Sequence, residues 1–188
     1  FTTSASGADV ILDHTSNALS GTVSLNTTGS SGHATLNSGT TALAFSTSSV
    51  GGNLDVTAGA AMTDSGALTV AGTTTIRNSG QNITLDHTSN DFTGAVIVTG
   101  AAVQLVDANA IDLGTTTTTG TYQVTATAGG DITDSGTLTI GGAATFTAAG
   151  GQNIYLDNKD SSNVLFGIHT FSGAVTFASG GTLANVTV

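Results

Sequence analysis

The chain has no cysteine, no proline, no tryptophan and no glutamate, and its only cationic side chains in 188 residues are Arg77 and Lys159. The lack of cysteine rules out a disulfide framework and thiolate chemistry, and says nothing about redox compartment. Twelve aspartates against two cations leave a formal net charge of −10. Such a surface repels nucleic acid and anionic lipid, so neither is an expected partner. No apolar run approaches the ~20 residues of a membrane-spanning helix, so no membrane insertion is expected. Charge is nevertheless scarce, at 7% of residues, and apolar residues make up 38%. This is not the charged, apolar-poor composition that stays disordered, and the chain should fold.

What is present repeats. "LDHTSN" at 12–17 returns unchanged at 85–90, "TDSGALTVAG" at 63–72 returns as "TDSGTLTIGG" at 133–142, and "NITLD" at 82 returns as "NIYLD" at 153. The three offsets are nearly equal and divide the chain into long repeats at 8–80, 81–151 and an incomplete 152–188. A drifting period of this kind marks a solenoid or array, so the chain is expected to be one continuous solenoid segment of a longer protein.

Within each repeat, apolar residues alternate with Thr, Ser or Asp in runs such as "ALTV", "NITL", "AVIV" and "AVTF". That is the period of strands with one buried face, and the intervening Gly, Ser and Asn pairs are turn residues. Nine inward positions can be counted per long repeat, which suggests three coils of three strands, about 24 residues each. On that count Leu12, Leu36, Met62, Leu85, Leu105, Ile132 and Leu156 form one interior column. The expected fold is all-β, a parallel β-helix or β-solenoid, with an antiparallel sandwich as the alternative.

The stretch "GGNLDVTAGAAMTDSGALTVAGTTTIRNSGQNITLDHTSNDFTGAV" and its echo over 129–177 resemble the Gly- and Thr-rich repeats of very large secreted bacterial surface proteins. These are of the filamentous-haemagglutinin-like adhesin type, or β-strand-repeat exoproteins. The resemblance covers most of the chain, best over 51–157, and rests on repeat style. It implies a right-handed helix, an extracellular or cell-surface location, and a role as an adhesin shaft or matrix filament. Handedness comes from the resemblance alone.

No catalytic constellation stands out, and the chain is not expected to be an enzyme. His14 with Ser16, and His87 with Ser89, invite a hydrolytic reading. Neighbouring strand residues point to opposite faces, however, and the third copy reads "DN" where the first two read "DH". No cofactor is expected. Asp131 and Asp134, in "GGDITD", are weak calcium candidates because the tandem G-G-x-G-x-D frame is absent. Threonine runs at 73–75 and 115–119 raise an ice-binding alternative, but a Thr-x-Thr pair does not recur in every coil.

One place breaks the repeat. The step from Leu156 to Phe171 is more than twice as long as the matching steps from Leu12 to Leu19 and from Leu85 to Phe92, so an inserted loop falls near 158–169. It carries Lys159, Phe166 and His169, and insertions in solenoids emerge on one face, often the binding face. Two functions follow as expectations. The first is a stiff, protease-resistant shaft that contacts neighbouring repeats or copies of itself end to end. The second is a binding module, using the outer face or this loop to grip a glycan, a host or neighbour-cell protein, or ice.

Overall fold

In the computed structural model, which describes residues 1–78, 80–157 and 167–188, the chain is a parallel β-solenoid. No helix occurs among the described residues, and the pairings between strands are parallel throughout. The strands are short because each turn residue comes early. Ala34–Asn37, Leu43–Phe45 and Ser48–Val50 follow one another after brief turns, then Leu54–Thr57 begins the next winding. Alternation holds along them: Leu54–Thr57 buries Leu54 and Val56 and turns Asp55 and Thr57 outward.

Each winding contributes one strand to each of three sides. An eight-stranded sheet runs from Thr22–Val23 to Val175–Ser179 with one strand per winding, hence seven steps. Along it, Thr22, Ala44, Thr63, Thr84, Gln104, Gln123 and Thr145 lie in register at nearly equal intervals of chain. The final step, Thr145 to Thr176, is longer by about half because it contains the insertion. The second side is the eleven-stranded sheet. The third begins as a three-stranded sheet, Ser48–Val50, Leu68–Val70 and Asp91–Phe92. The long strand Ile111–Thr118 then forks the eleven-stranded sheet: Ile111–Leu113 pairs with Ile132–Asp134, and Thr116–Thr118 pairs with Leu138–Ile140. From there on that sheet supplies two sides of every winding.

The winding is therefore shorter than the expected coil, at about 21 residues. The reason lies in two strands that the aliphatic pattern does not mark. Ser48–Val50 buries Ser48, and Thr116–Thr118 buries Thr116 and Thr118, so hydroxyl residues face the core where aliphatic ones are expected. Their hydroxyls are satisfied locally: Ser48 Oγ donates to the Ser46 carbonyl at 2.8 Å, and Thr116 Oγ1 to the Gly114 carbonyl at 3.1 Å. A buried hydroxyl with a partner costs little. From Ile83 to its repeat counterpart Ile154 the chain therefore makes ten sides, or three and one third windings.

This corrects the expected interior column. Each repeat copy arrives one side further round: Leu12 lies in the eleven-stranded sheet, whereas its counterpart Leu85 lies in the eight-stranded one. Leu12 does stack on Leu36, but Leu36 continues to Val56 and Ile76. Met62 stacks between Leu43 and Ile83, Leu85 stacks on Leu105, and Ile132 stacks on Ile111 and Ile154. Leu36, Met62, Leu85, Leu105, Ile132 and Leu156 are all buried and Leu12 is partly so, yet they belong to different columns. The core is continuous from Val10 to Leu156, and each buried aliphatic contributes on the order of 1.5–3 kcal/mol.

Candidate functional site

The doubled hexapeptide is a corner. In both copies the His carbonyl accepts the amide of the Asn three positions on, at 3.1 Å for Asn17 and 3.0 Å for Asn90. In both, the His ring caps the turn: His14 Nδ1 accepts the Ser16 amide at 3.1 Å, and His87 Nδ1 the Ser89 amide at 3.2 Å. An Nδ1 that accepts from a backbone N–H faces its own turn and is not poised on a serine hydroxyl. The turn is then tied to the neighbouring winding. Asn17 Nδ2 donates to the Leu12 and Asn37 carbonyls at 2.9 and 3.1 Å. Asn90, fully buried, donates to Asp64 Oδ2 at 2.6 Å and accepts the Leu68 amide at 2.8 Å.

Asp64 is the aspartate of "TDSG", so the two repeated motifs meet as one contact. Its other donors are the amides of Asp86 at 3.1 Å and His87 at 3.3 Å. In the second "TDSG", Asp134 meets His169: Nε2 and Oδ2 are 3.3 Å apart, with both side chains buried. His169 Nδ1 accepts the Leu138 amide at 3.1 Å, which places the ring proton on Nε2, facing the carboxylate. The ring also meets Phe171 edge-on. His169, expected on a partner-binding loop, packs its side chain against Asp134 and Phe171 at the end of the insertion. Lys159 and Phe166 lie outside the described residues.

The two calcium candidates do not converge. Asp131 is taken up by Asn153, whose amide and Nδ2 donate to it at 2.7 and 3.0 Å, while Asp134 faces His169. Among the described residues no three His, Cys, Asp or Glu side chains come together as a metal cluster. Two other aspartates have no sequence signal beyond their charge. Asp107, fully buried, accepts the amides of Phe92 at 2.8 Å and Asn109 at 2.6 Å. Burial pushes its carboxyl up to about 6, assisted by the negative charge of Asp91. Burial also raises Asp112, although Ser135 Oγ donates to it at 2.8 Å, and the adjacent Asp134 adds to the rise.

A ladder of side-chain acceptors climbs a further corner. Asp9 accepts the His33 amide at 2.8 Å, His33 Nδ1 the Asn53 amide at 2.8 Å, and Asn53 Oδ1 the Thr73 amide at 3.0 Å. Beside it, Asp55 and Arg77 form an exposed ion pair on the outer face of the eleven-stranded sheet. The surface concavities are shallow. One of about 320 Å³ follows the Asp9–His33–Asn53 ladder. A mostly apolar one of about 330 Å³, next to the insertion, is lined by Leu156, Ile168, His169, Phe171 and Val188. A third, of about 100 Å³, lies on the eight-stranded sheet between Thr84, Gln104 and Gln123.

A family model described as repeats of unknown function (DUF5649) matches residues 31–99 and 100–178. The chain belongs to this family. No curated protein and no solved structure matches it. The two DUF5649 units follow the winding. The first carries the eleven-stranded sheet through Ala34, Leu54, Thr74 and Val96, and the second carries the eight-stranded sheet through Val103, Tyr122, Ala144 and Val175. Each DUF5649 unit is thus three steps of the solenoid, closed by backbone ladders and corner side chains.

Proposed function

We propose that these repeats form a stiff, protease-resistant shaft in a bacterial surface adhesin or extracellular filament, a passive structural role without a reaction of its own. The supporting observation is the eight-stranded parallel sheet, which runs through every winding without a break in its order. Force or protease acting on one winding meets backbone ladders on three sides and a core shared with the windings above and below. The scarcity of cations adds to this, because Arg77 and Lys159 are the only sites for a trypsin-like protease. The surface location rests on the resemblance of the repeats to secreted bacterial proteins.

The direct test is digestion of the folded segment with a broad-specificity protease, beside protease shaving of intact cells that express the whole protein. Slow digestion, together with loss of the repeat epitope from shaved cells, supports the reading. Rapid cleavage within the strands, or an epitope reached only after lysis, refutes it.

A further inference from the structure

The three sides differ in charge. The outer face of the eleven-stranded sheet carries Asp55 and Arg77, and that of the three-stranded sheet carries Asp91. On the eight-stranded sheet the outward register Thr63, Thr84, Gln104, Gln123, Thr145 and Thr176 has no charge, in a chain of net −10. Of the neighbouring outward positions, Thr125, Thr147 and Ala178 are uncharged, while Asp86, exposed just past Leu85, is an acceptor for Gln104 on this face. Inward residues on the same strands, such as Leu105, Val124 and Phe146, are buried, so the exposed amides and hydroxyls are held on a fixed backbone.

Most of these groups are not used by the fold. The side chains of Thr84, Gln123 and Thr145 make no hydrogen bond among the described residues, and Gln104 makes one, from Nε2 to Asp86 at 3.3 Å. Where the two glutamines stack, Asn82, Thr84, Gln104, Thr121 and Gln123 border the concavity of about 100 Å³. That is well below the ~300–1,000 Å³ of a pocket that encloses a small ligand. It suits a foothold for a hydroxyl-bearing group on something larger.

We infer that this face binds a neutral polysaccharide laid along the solenoid axis. Strand spacing of ~4.8 Å presents one amide or hydroxyl per winding, so a linear polymer of hydroxylated rings meets a donor and acceptor at each step. Each contact is weak in water, and linkage of successive rings supplies the affinity. Charge selects the class. Polyanions are repelled by the aspartates, Asp86 beside Gln104 included, and the run of uncharged amides and hydroxyls on either side of it offers a polycation no further partner. This inference adds a ligand to the shaft and does not depend on the shaft's location or protease resistance.

Native electrophoresis of the folded segment through gels cast with a neutral β-glucan, dextran or galactomannan tests it, with carboxymethylcellulose as the anionic control. Retardation by at least one neutral polymer and none by the anionic one is expected, with a hexasaccharide competing at least tenfold better than a disaccharide. The double variant Gln104→Glu/Gln123→Glu should weaken retardation tenfold or more, and Gln104→Ala/Gln123→Ala should weaken it less. Thr57→Glu, on the eleven-stranded side, should leave it unchanged, and circular dichroism should show all variants folded. No retardation by any neutral polymer, equal retardation of wild type and the double glutamate variant, or equal loss in Thr57→Glu overturns the inference. So does retardation that sedimentation traces to self-association of the segment.

Discussion

Asn90 Nδ2 donates to Asp64 Oδ2 at 2.6 Å, across one winding of the solenoid. Through that bond the "TDSG" motif holds the "LDHTSN" turn of the next winding. The earlier "LDHTSN" is tied differently, by Asn17 to the Leu12 and Asn37 carbonyls. Where the third copy departs from "LDHTSN", His169 takes the place opposite Asp134.

Replacing Asp64 with Ala strands the Asn90 amide in a buried site and frees the Asp86 and His87 amides to water. The expected loss is about 1–3 kcal/mol in urea denaturation. Combined with Asn90→Ala, the two losses should sum to more than the double variant shows, by about 1 kcal/mol, since each single change removes the same bond. Additive losses would mean that the bond contributes nothing.

The pH dependence of stability should carry the signature of Asp107. Its folded-state value of about 6 lies above the ordinary 3.8, so the folded protein holds this proton more tightly than the unfolded chain. The stabilisation is complete below about pH 3.8 and is lost as pH rises through 6. Asp107→Asn removes the titration and keeps one acceptor oxygen for the two amides. The margin of wild type over this variant should therefore shrink by about 1–2 kcal/mol between pH 4 and pH 7. A margin independent of pH would show that the carboxyl is solvated.

Glycine is required at one corner for space. A Cβ on Gly142 would lie 2.6 Å from the Gly120 carbonyl carbon, and one on Gly173 would lie 2.5 Å from that of Gly142. Backbone meets backbone there, and neither winding can yield without opening the ladder. Gly142→Ala should cost about 1–3 kcal/mol or more, by overpacking. Gly80, with φ of +74° and open space around its Cα, should cost about 1 kcal/mol on the same change, from backbone strain alone. Thermal unfolding of the two variants ranks them, and an equal loss would contradict the close approach at Gly142.

Strand alternation, the parallel solenoid and the three strands per winding are legible in residues such as Leu54, Val56, Leu68 and Val70, whose apolar spacing is that of buried strand faces. The winding length is not legible, because Ser48 and Thr116 occupy core positions with polar side chains whose bonds to nearby carbonyls show only in three dimensions. One missed side per repeat changes nine sides to ten and moves every later residue to another column. The corner contact between Asp64 and Asn90 is nearly legible, since the expected column already sets Met62 beside Leu85, but Met62 pairs with Ile83, two residues away, and the bond itself shows only in three dimensions. Thr118→Val tests the explanation: it removes one bond to the nearby Gly120 carbonyl and leaves a buried side chain of similar size, so stability should change by less than about 1 kcal/mol. A much larger loss would mean that the hydroxyl has a structural role beyond its bond to Gly120.

Phe146 joins four rings near the carboxyl end: it stacks on Phe177 at 5.9 Å and meets Tyr122 at 6.0 Å and Phe171 at 6.2 Å edge-on. Phe146→Ala should cost about 3–5 kcal/mol, and Phe146→Leu far less. The location of the damage is more informative than its size. In a solenoid each winding contacts chiefly its neighbours, so hydrogen exchange should accelerate in Tyr122–Ala126 and Val175–Ser179, which pair with the Phe146 strand. Leu43–Phe45, four strands before Tyr122–Ala126 in the same sheet, should keep its protection. Uniform acceleration would instead mean that the windings open as one unit. A shaft of that kind would fail along its whole length at its weakest corner, whereas stepwise opening lets it yield winding by winding under load.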